Sequence, residues 1–130
     1  MIRELEFLDI PSTVIFLKKA FAEVFPDMEF NGGWVSDGLL MAIHSPNSTV
    51  LVCEKKGIES FIVGSMSYFL FNGEVSACSS FCYGKQKEQM RSAFEKWAKE
   101  RGVTRISHMA FDGYTPRDYQ KFATIFVRKS

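Results

Sequence analysis

The sequence predicts a single α/β domain whose elements follow in the order β-α-α-β-β-β-α-β-α-β. Three observations predict it. Apolar residues recur at helical spacing in three segments, alternating runs flank an Asn-Gly dipeptide, and short β-branched runs fill much of the rest. The chain has 130 residues, enough for one core and too few for two.

Ile2 to Phe7 alternates apolar and charged residues, as a half-buried strand does. Asp9, followed by Ile10-Pro11-Ser12, reads as a helix start with proline in the first turn. Ile10, Val14, Leu17, Phe21 and Val24 make one apolar stripe, and Pro26 stops this first helix. Asn31-Gly32-Gly33 reads as a loop. Helical spacing resumes from Trp34 to Ile43 through Val35, Leu39 and Ala42, and Ser45-Pro46-Asn47-Ser48 is a turn.

Thr49 to Glu54 is a β-branched strand ended by Lys55-Lys56-Gly57. Glu59 to Phe71 and Glu74 to Tyr83 flank Asn72-Gly73, the pair favoured in two-residue hairpin turns because both positions tolerate positive φ. Such a turn sets Phe71 opposite Glu74, Leu70 opposite Val75 and Tyr68 opposite Ala77. One face would then carry Phe61, Val63, Ser65 and Ser67 beside Ser76, Cys78, Ser80 and Cys82. The other would carry Ile62, Met66 and Tyr68 beside Val75, Ala77 and Phe81.

Lys85 to Arg101 is the clearest helix, with Met90, Ala93, Phe94, Trp97 and Ala98 on one side and Gly102 at its C-terminal cap. Val103 to Phe111 is another strand. Thr115-Pro116-Arg117-Asp118 opens a short helix reaching Phe122, and Ala123 to Arg128 closes the chain as a strand.

Composition narrows the functional classes. At 46% hydrophobic residues, with 13 Phe, the chain carries ample apolar surface and is not a disordered segment. A formal charge of +1 removes the bulk electrostatic case for nucleic-acid binding. Three irregularly spaced Cys suggest no disulfide framework and point to a reducing compartment. No Cys-x-x-Cys pair or His-rich tract suggests a metal site. The opening Met1-Ile2-Arg3-Glu4-Leu5-Glu6 does not read as a signal peptide. Phe61 to Phe71, interrupted by Gly64, Ser65 and Ser67, falls short of the about 20 apolar residues a membrane span needs. The expected location is cytoplasmic.

The element order is that of the Gcn5-related N-acetyltransferase (GNAT) family, and short stretches extend the resemblance. Ile2-Arg3-Glu4-Leu5 with Asp9-Ile10-Pro11 resembles the family's opening strand and helix start. Leu39-Leu40-Met41-Ala42-Ile43 before Ser45-Pro46 resembles the second helix and turn of a phage and prophage subgroup. Phe94-Glu95-Lys96-Trp97-Ala98-Lys99-Glu100-Arg101-Gly102-Val103 is similar to the third helix entering the fifth strand. The resemblance implies a mixed, mostly antiparallel sheet with helices on both faces.

It also implies acetyl-CoA, held where the family places Arg or Gln, two residues, then Gly-x-Gly or Gly-x-Ala before the third helix. Small residues there let successive backbone amides meet the pyrophosphate. This chain reads Phe81-Cys82-Tyr83-Gly84-Lys85-Gln86-Lys87 instead, with one glycine. The fourth helix also lacks the family's continuation through a Tyr and a Gly-Phe pair. These departures favour a degenerate member that binds a protein partner, of phage or host, or itself, either in a virion or as a modulator of host factors. Such a protein would need no cofactor.

The alternative is an active enzyme in which a substrate amine attacks the acetyl-CoA thioester. The resemblance then assigns Tyr119 as the acid for the leaving thiolate. Backbone groups at Phe81, Cys82 and Tyr83, with Lys85, Lys87 and Arg91, would hold the cofactor; the bland alternative for these cations is a solvated basic face. A nucleic-acid reading through Lys85 to Arg91 and Tyr83 is disfavoured by the net charge. His108 on the fifth strand could approach Cys78 or Cys82, although a lone strand histidine is usually a satisfied structural residue. Phe69 and Phe71 at the hairpin tip, with Phe25 and Phe30, exceed what an obvious core requires and mark a candidate partner surface.

Overall fold

In the computed structural model, residues 1–68, 70–111, 119 and 128 are described. They form five strands and three helices: β1 (Ile2–Glu4), α1 (Ile10–Val24), α2 (Gly32–His44), β2 (Ser48–Glu54), β3 (Ile58–Tyr68), β4 (Val75–Gly84), α3 (Lys87–Lys99) and β5 (Arg105–His108). The sheet order is sequential, β1-β2-β3-β4-β5. The first four strands run antiparallel to their neighbours, and β5 returns parallel to β4 across α3. A mixed, mostly antiparallel sheet with helices on both faces is therefore observed. The expected helix at Thr115 to Phe122 and strand at Ala123 to Arg128 lie outside the described residues, Tyr119 and Arg128 excepted.

Two apolar layers cover the sheet. Leu51, Cys53, Ile62 and Ala77 pack beneath Met90, Phe94, Trp97 and Ala98 of α3. Val50, Val52 and Phe61 pack on the other side against Ile10 and Leu17 of α1 and Leu39 of α2. β2 is buried on both faces for that reason. Gly64 is what lets α3 come close. A Cβ there would stand 2.4 Å from the Phe94 ring and 2.6 Å from the Cys78 carbonyl oxygen.

The start of α1 matches the expectation, with Pro11 in its first turn. Asp9 does not cap the helix with its side chain. Its carboxylate instead takes a two-pronged bond from Arg3, at 2.6 and 2.9 Å, and the Glu6 amide at 2.8 Å. The Arg3 guanidinium holds the Asp9 carboxyl below its ordinary range. At α2, Asn31 is a cap, accepting from the Trp34 amide at 3.0 Å, and Gly32 and Gly33 join the helix.

The hairpin differs from the expected one. Tyr68 pairs with Val75 and Met66 with Ala77, so the connection is longer than two residues. Asn72 accepts the Glu74 amide at 2.9 Å, and Gly73 takes φ +72°, so this dipeptide shapes a loop instead of closing the ladder. A β-bulge adds a second change. Val63 pairs with Phe81 but Gly64 pairs with Ser79, leaving Ser80 as an extra residue in β4. Alternation is inverted beyond it. Phe81 therefore joins the α1/α2 layer with Phe61, and Cys82 the α3 layer with Ile62, the reverse of the sequence expectation.

Candidate functional site

β4 has two halves. Ser76 to Ser79 pair with Arg105 to His108, and the Met109 amide still donates to the Ser79 carbonyl at 2.9 Å. From the Ser80 bulge to Gly84, no β5 partner is present among the described residues. β5 itself ends at His108, so the ladder stops there, and the Phe111 ring beyond it lies 6.1 Å from that of Phe81.

His108 is the last residue of β5, with its side chain 1% exposed. Its Nδ1 lies 2.6 Å from the Ser79 hydroxyl, and its Nε2 lies 3.3 Å from Glu95 Oε2 and 3.2 Å from the Tyr119 hydroxyl. A carboxylate only accepts, which assigns the ring proton to Nε2 and makes Ser79 the donor to Nδ1. Burial pushes the imidazole pKa down, and Glu95 opposes this only in part. Burial and then Glu95 push the Tyr119 phenol up, so the hydroxyl keeps its proton. The Arg91 charge acts on both groups in the opposite sense to Glu95. The set contains a serine, a histidine and an acid, yet Ser79 is fully buried and no substrate can reach it. Its role is to tie β4, β5, α3 and Tyr119 together.

The far end of β4 turns into α3 over Lys85 and Gln86 alone. Gly84 has φ +128°, and a Cβ there would lie 2.3 Å from both the Glu59 carbonyl and the Ser60 hydroxyl. Ser60, fully buried, accepts the Gln86 amide at 2.9 Å and donates to the Gln86 side-chain oxygen. The Gln86 side-chain nitrogen in turn donates to Glu59 at 3.1 Å. The amide leading into α3 is thus already engaged, beside a carboxylate.

The sequence-named residues separate. Phe81 and Tyr83 face α1: their rings stack at 6.3 Å, and the Tyr83 hydroxyl donates to Glu23. Cys82 faces α3. Lys85 is exposed, and the Lys87 ammonium lies 5.8 Å from the centre of the Tyr83 ring. Arg91 is 3% exposed, so it belongs to no solvated basic face. His108 meets Ser79 because the parallel register sets Cys78 opposite Ser107. Phe25 and Phe30 are not spare. Phe25 packs 5.2 Å from Phe21 and 5.0 Å from Phe111, and Phe30 packs 5.6 Å from Phe21. Phe71, with Tyr68 and Leu70, is exposed at the hairpin tip, and Phe69 lies outside the described residues. Sequence reasoning did not select Ser79, Glu95, Ser60 or Gln86. A buried hydroxyl on a predicted strand carries no local signal until the register is known. Among the described residues no cluster of metal-ligating side chains occurs.

The α3 start is where the sequence resemblance places the acetyl-CoA diphosphate. One amide that would approach it is engaged by Ser60, and Glu59 adds a negative charge beside it.

Neither a family profile nor a curated protein sequence matches the chain. Solved structures match it over nearly its full length. An aminoglycoside acetyltransferase from an uncultured soil metagenomic sample, in complex with trehalose, superposes with TM-score 0.71 at 15% identity, covering 100% of this chain and 96% of that one. A predicted acetyltransferase from Clostridium acetobutylicum, solved with acetyl-CoA, gives 0.71 at 14%, covering 95% of each chain. A ribosomal-protein-alanine N-acetyltransferase from Brucella melitensis gives 0.68 at 12%, covering 97% of this chain and 98% of that one. At such identities the likeness is one of fold: the sheet order and the parallel β5 reached across α3 are those of a GNAT-like α/β fold.

Proposed function

We propose that this GNAT-fold chain acts by binding a protein partner, as a phage-type, virion-associated or host-modulating component, and has given up acetyl transfer. One observation carries the reading: the Ser60–Gln86–Glu59 contacts engage the entry to α3 from within. Cofactor affinity in this fold draws on backbone donors at that place, and point charges at Lys85 and Lys87 do not replace them. Its place of action would be the host cytoplasm or a virion. No helix among the described residues is long and apolar enough to cross a membrane.

Acetyl transfer to an amine remains the second reading because of a different observation. Tyr119 is held by His108 at the end of β5, where β4 continues without a β5 partner among the described residues. Titration with acetyl-CoA, by calorimetry and thermal shift, separates the two. The partner-binding reading expects no saturable heat and no rise in Tm up to millimolar cofactor. Micromolar binding would overturn it.

A further inference from the structure

α1 buries Ile10, Leu17 and Ala20 and leaves its opposite flank open. Ile15, 72% exposed, stands on that flank one turn before Lys18 and Lys19 and two turns before Ala22. Here the helix and the start of β3 enclose a groove of about 580 Å³, floored by Phe16 and Ile58. It runs from Ser12 to Ala22, about 15 Å at the rise of an α-helix.

Every charge in the lining is basic. Lys18 and Lys19 border the groove, no carboxylate does, and neither lysine has an ion pair among the described residues. The turn leading into Ile58 adds Lys55 and Lys56, both exposed and likewise without an ion pair among the described residues. The acids nearest in sequence are turned elsewhere. Glu23 accepts from the hydroxyl of Tyr83, whose ring meets that of Phe16 edge-on at 5.9 Å. Glu59 accepts from the Gln86 side chain at 3.1 Å. The groove thus sets positive charge along an apolar floor, the complement of an acidic segment that also carries apolar side chains. A bilayer surface cannot enter a groove, and a nucleic-acid backbone brings phosphates but nothing apolar for Phe16 and Ile58.

We propose that the groove along α1 is the docking surface for an acidic amphipathic segment of a partner protein. The segment's apolar side chains would cover Ile15, Phe16 and Ile58, and its carboxylates would meet Lys18 and Lys19. This inference rests on the partner-binding reading and names its surface and the partner's chemistry.

The probe is a dye-labelled helical peptide of Leu and Glu in a 3.6-residue pattern, titrated with the full chain and followed by fluorescence anisotropy at about 0.15 M salt. A Leu/Lys peptide tests the sign of the charge, and a Ser/Glu peptide tests the apolar floor. Saturable binding of the Leu/Glu peptide alone is expected, weakened about tenfold or more by Ile15→Ser and by Lys18→Glu combined with Lys19→Glu. Lys96→Glu combined with Lys99→Glu on α3 makes the same change in net charge and should bind normally. All these positions are exposed, and circular dichroism melts check that the variants fold. The proposal is overturned by absence of binding, by equal binding of either control peptide, or by equal loss in the two charge-reversed variants. It is overturned too if reversal at Lys18 and Lys19 dissolves a dimer or abolishes capture by phosphatidylserine vesicles, which would give the groove to a second copy or to a membrane. Acetyl-CoA binding would defeat the partner-binding reading, whereas loss of peptide binding defeats only this surface, so the two failures are distinguishable.

Discussion

The two halves of β4 differ in what they are built to do. From Val75 to Ser79 the strand is hydrogen-bonded on both edges, and α3 is pressed so close that Gly64 leaves no room for a Cβ against Phe94. From Phe81 to Gly84 it is paired to β3, lies beyond the end of β5, and is secured at its end by polar contacts of Ser60 and Gln86. Stability is concentrated in the first half. The second half has no β5 partner among the described residues, and the Gln86 amide beyond its end is committed to Ser60.

The largest effect expected from this contrast is at Phe94, fully buried between Gly64, Trp97 and His108. Phe94→Ala should cost roughly 3–5 kcal/mol, read by urea denaturation. A cost below about 1 kcal/mol would show that the first half does not anchor the domain. Ser60→Ala probes the second half. It strips the Gln86 amide and side-chain oxygen of their buried partner and should cost about 1–3 kcal/mol, with the fold retained. A loss as large as that of Phe94→Ala would erase the distinction between the halves.

The smallest effect, and the most specific, is on pH dependence. His108 has a folded pKa below its unfolded value near 6.5. The unfolded chain therefore binds more protons as pH falls below that value. The contribution is fully present above about pH 6.5 and is lost as pH falls toward the folded pKa. The Tm of the natural chain should drop between pH 7.5 and 5.5, and His108→Gln should flatten that drop. Equal slopes would mean that the imidazole is not held neutral. The Asp9 effect falls in a lower window, since its stabilisation is lost only as pH falls below the ordinary carboxylate range.

Much of this was legible in the chain. The α1 stripe, the proline in its first turn and the long α3 pattern are local signals, and local signals survived folding. The burial of Arg91 was legible in principle, since residue 91 precedes Phe94 by three and Ala98 by seven and so shares their helix face. The hairpin misled because Asn-Gly favours a tight turn without requiring one, and Asn72 spends its side chain on the Glu74 amide. The Ser79–His108 and Ser60–Gln86 pairs join residues 29 and 26 positions apart, and only the assembled register reveals them.

Ser80 itself is exposed, and its hydroxyl makes one long contact, 3.4 Å to the Val63 carbonyl. Its importance lies in its being counted. Were β4 to keep that position but pair without the bulge, every side chain downstream would change sides. Phe81 would be driven toward the helix that Gly64 already admits at the limit of contact, and Cys82 would be left among the aromatic rings. At this place the chain's arithmetic matters more than its chemistry. Deleting Ser80 would leave a plain ladder with Phe81 still opposite Val63, so the extra residue and the bulge are kept or lost together.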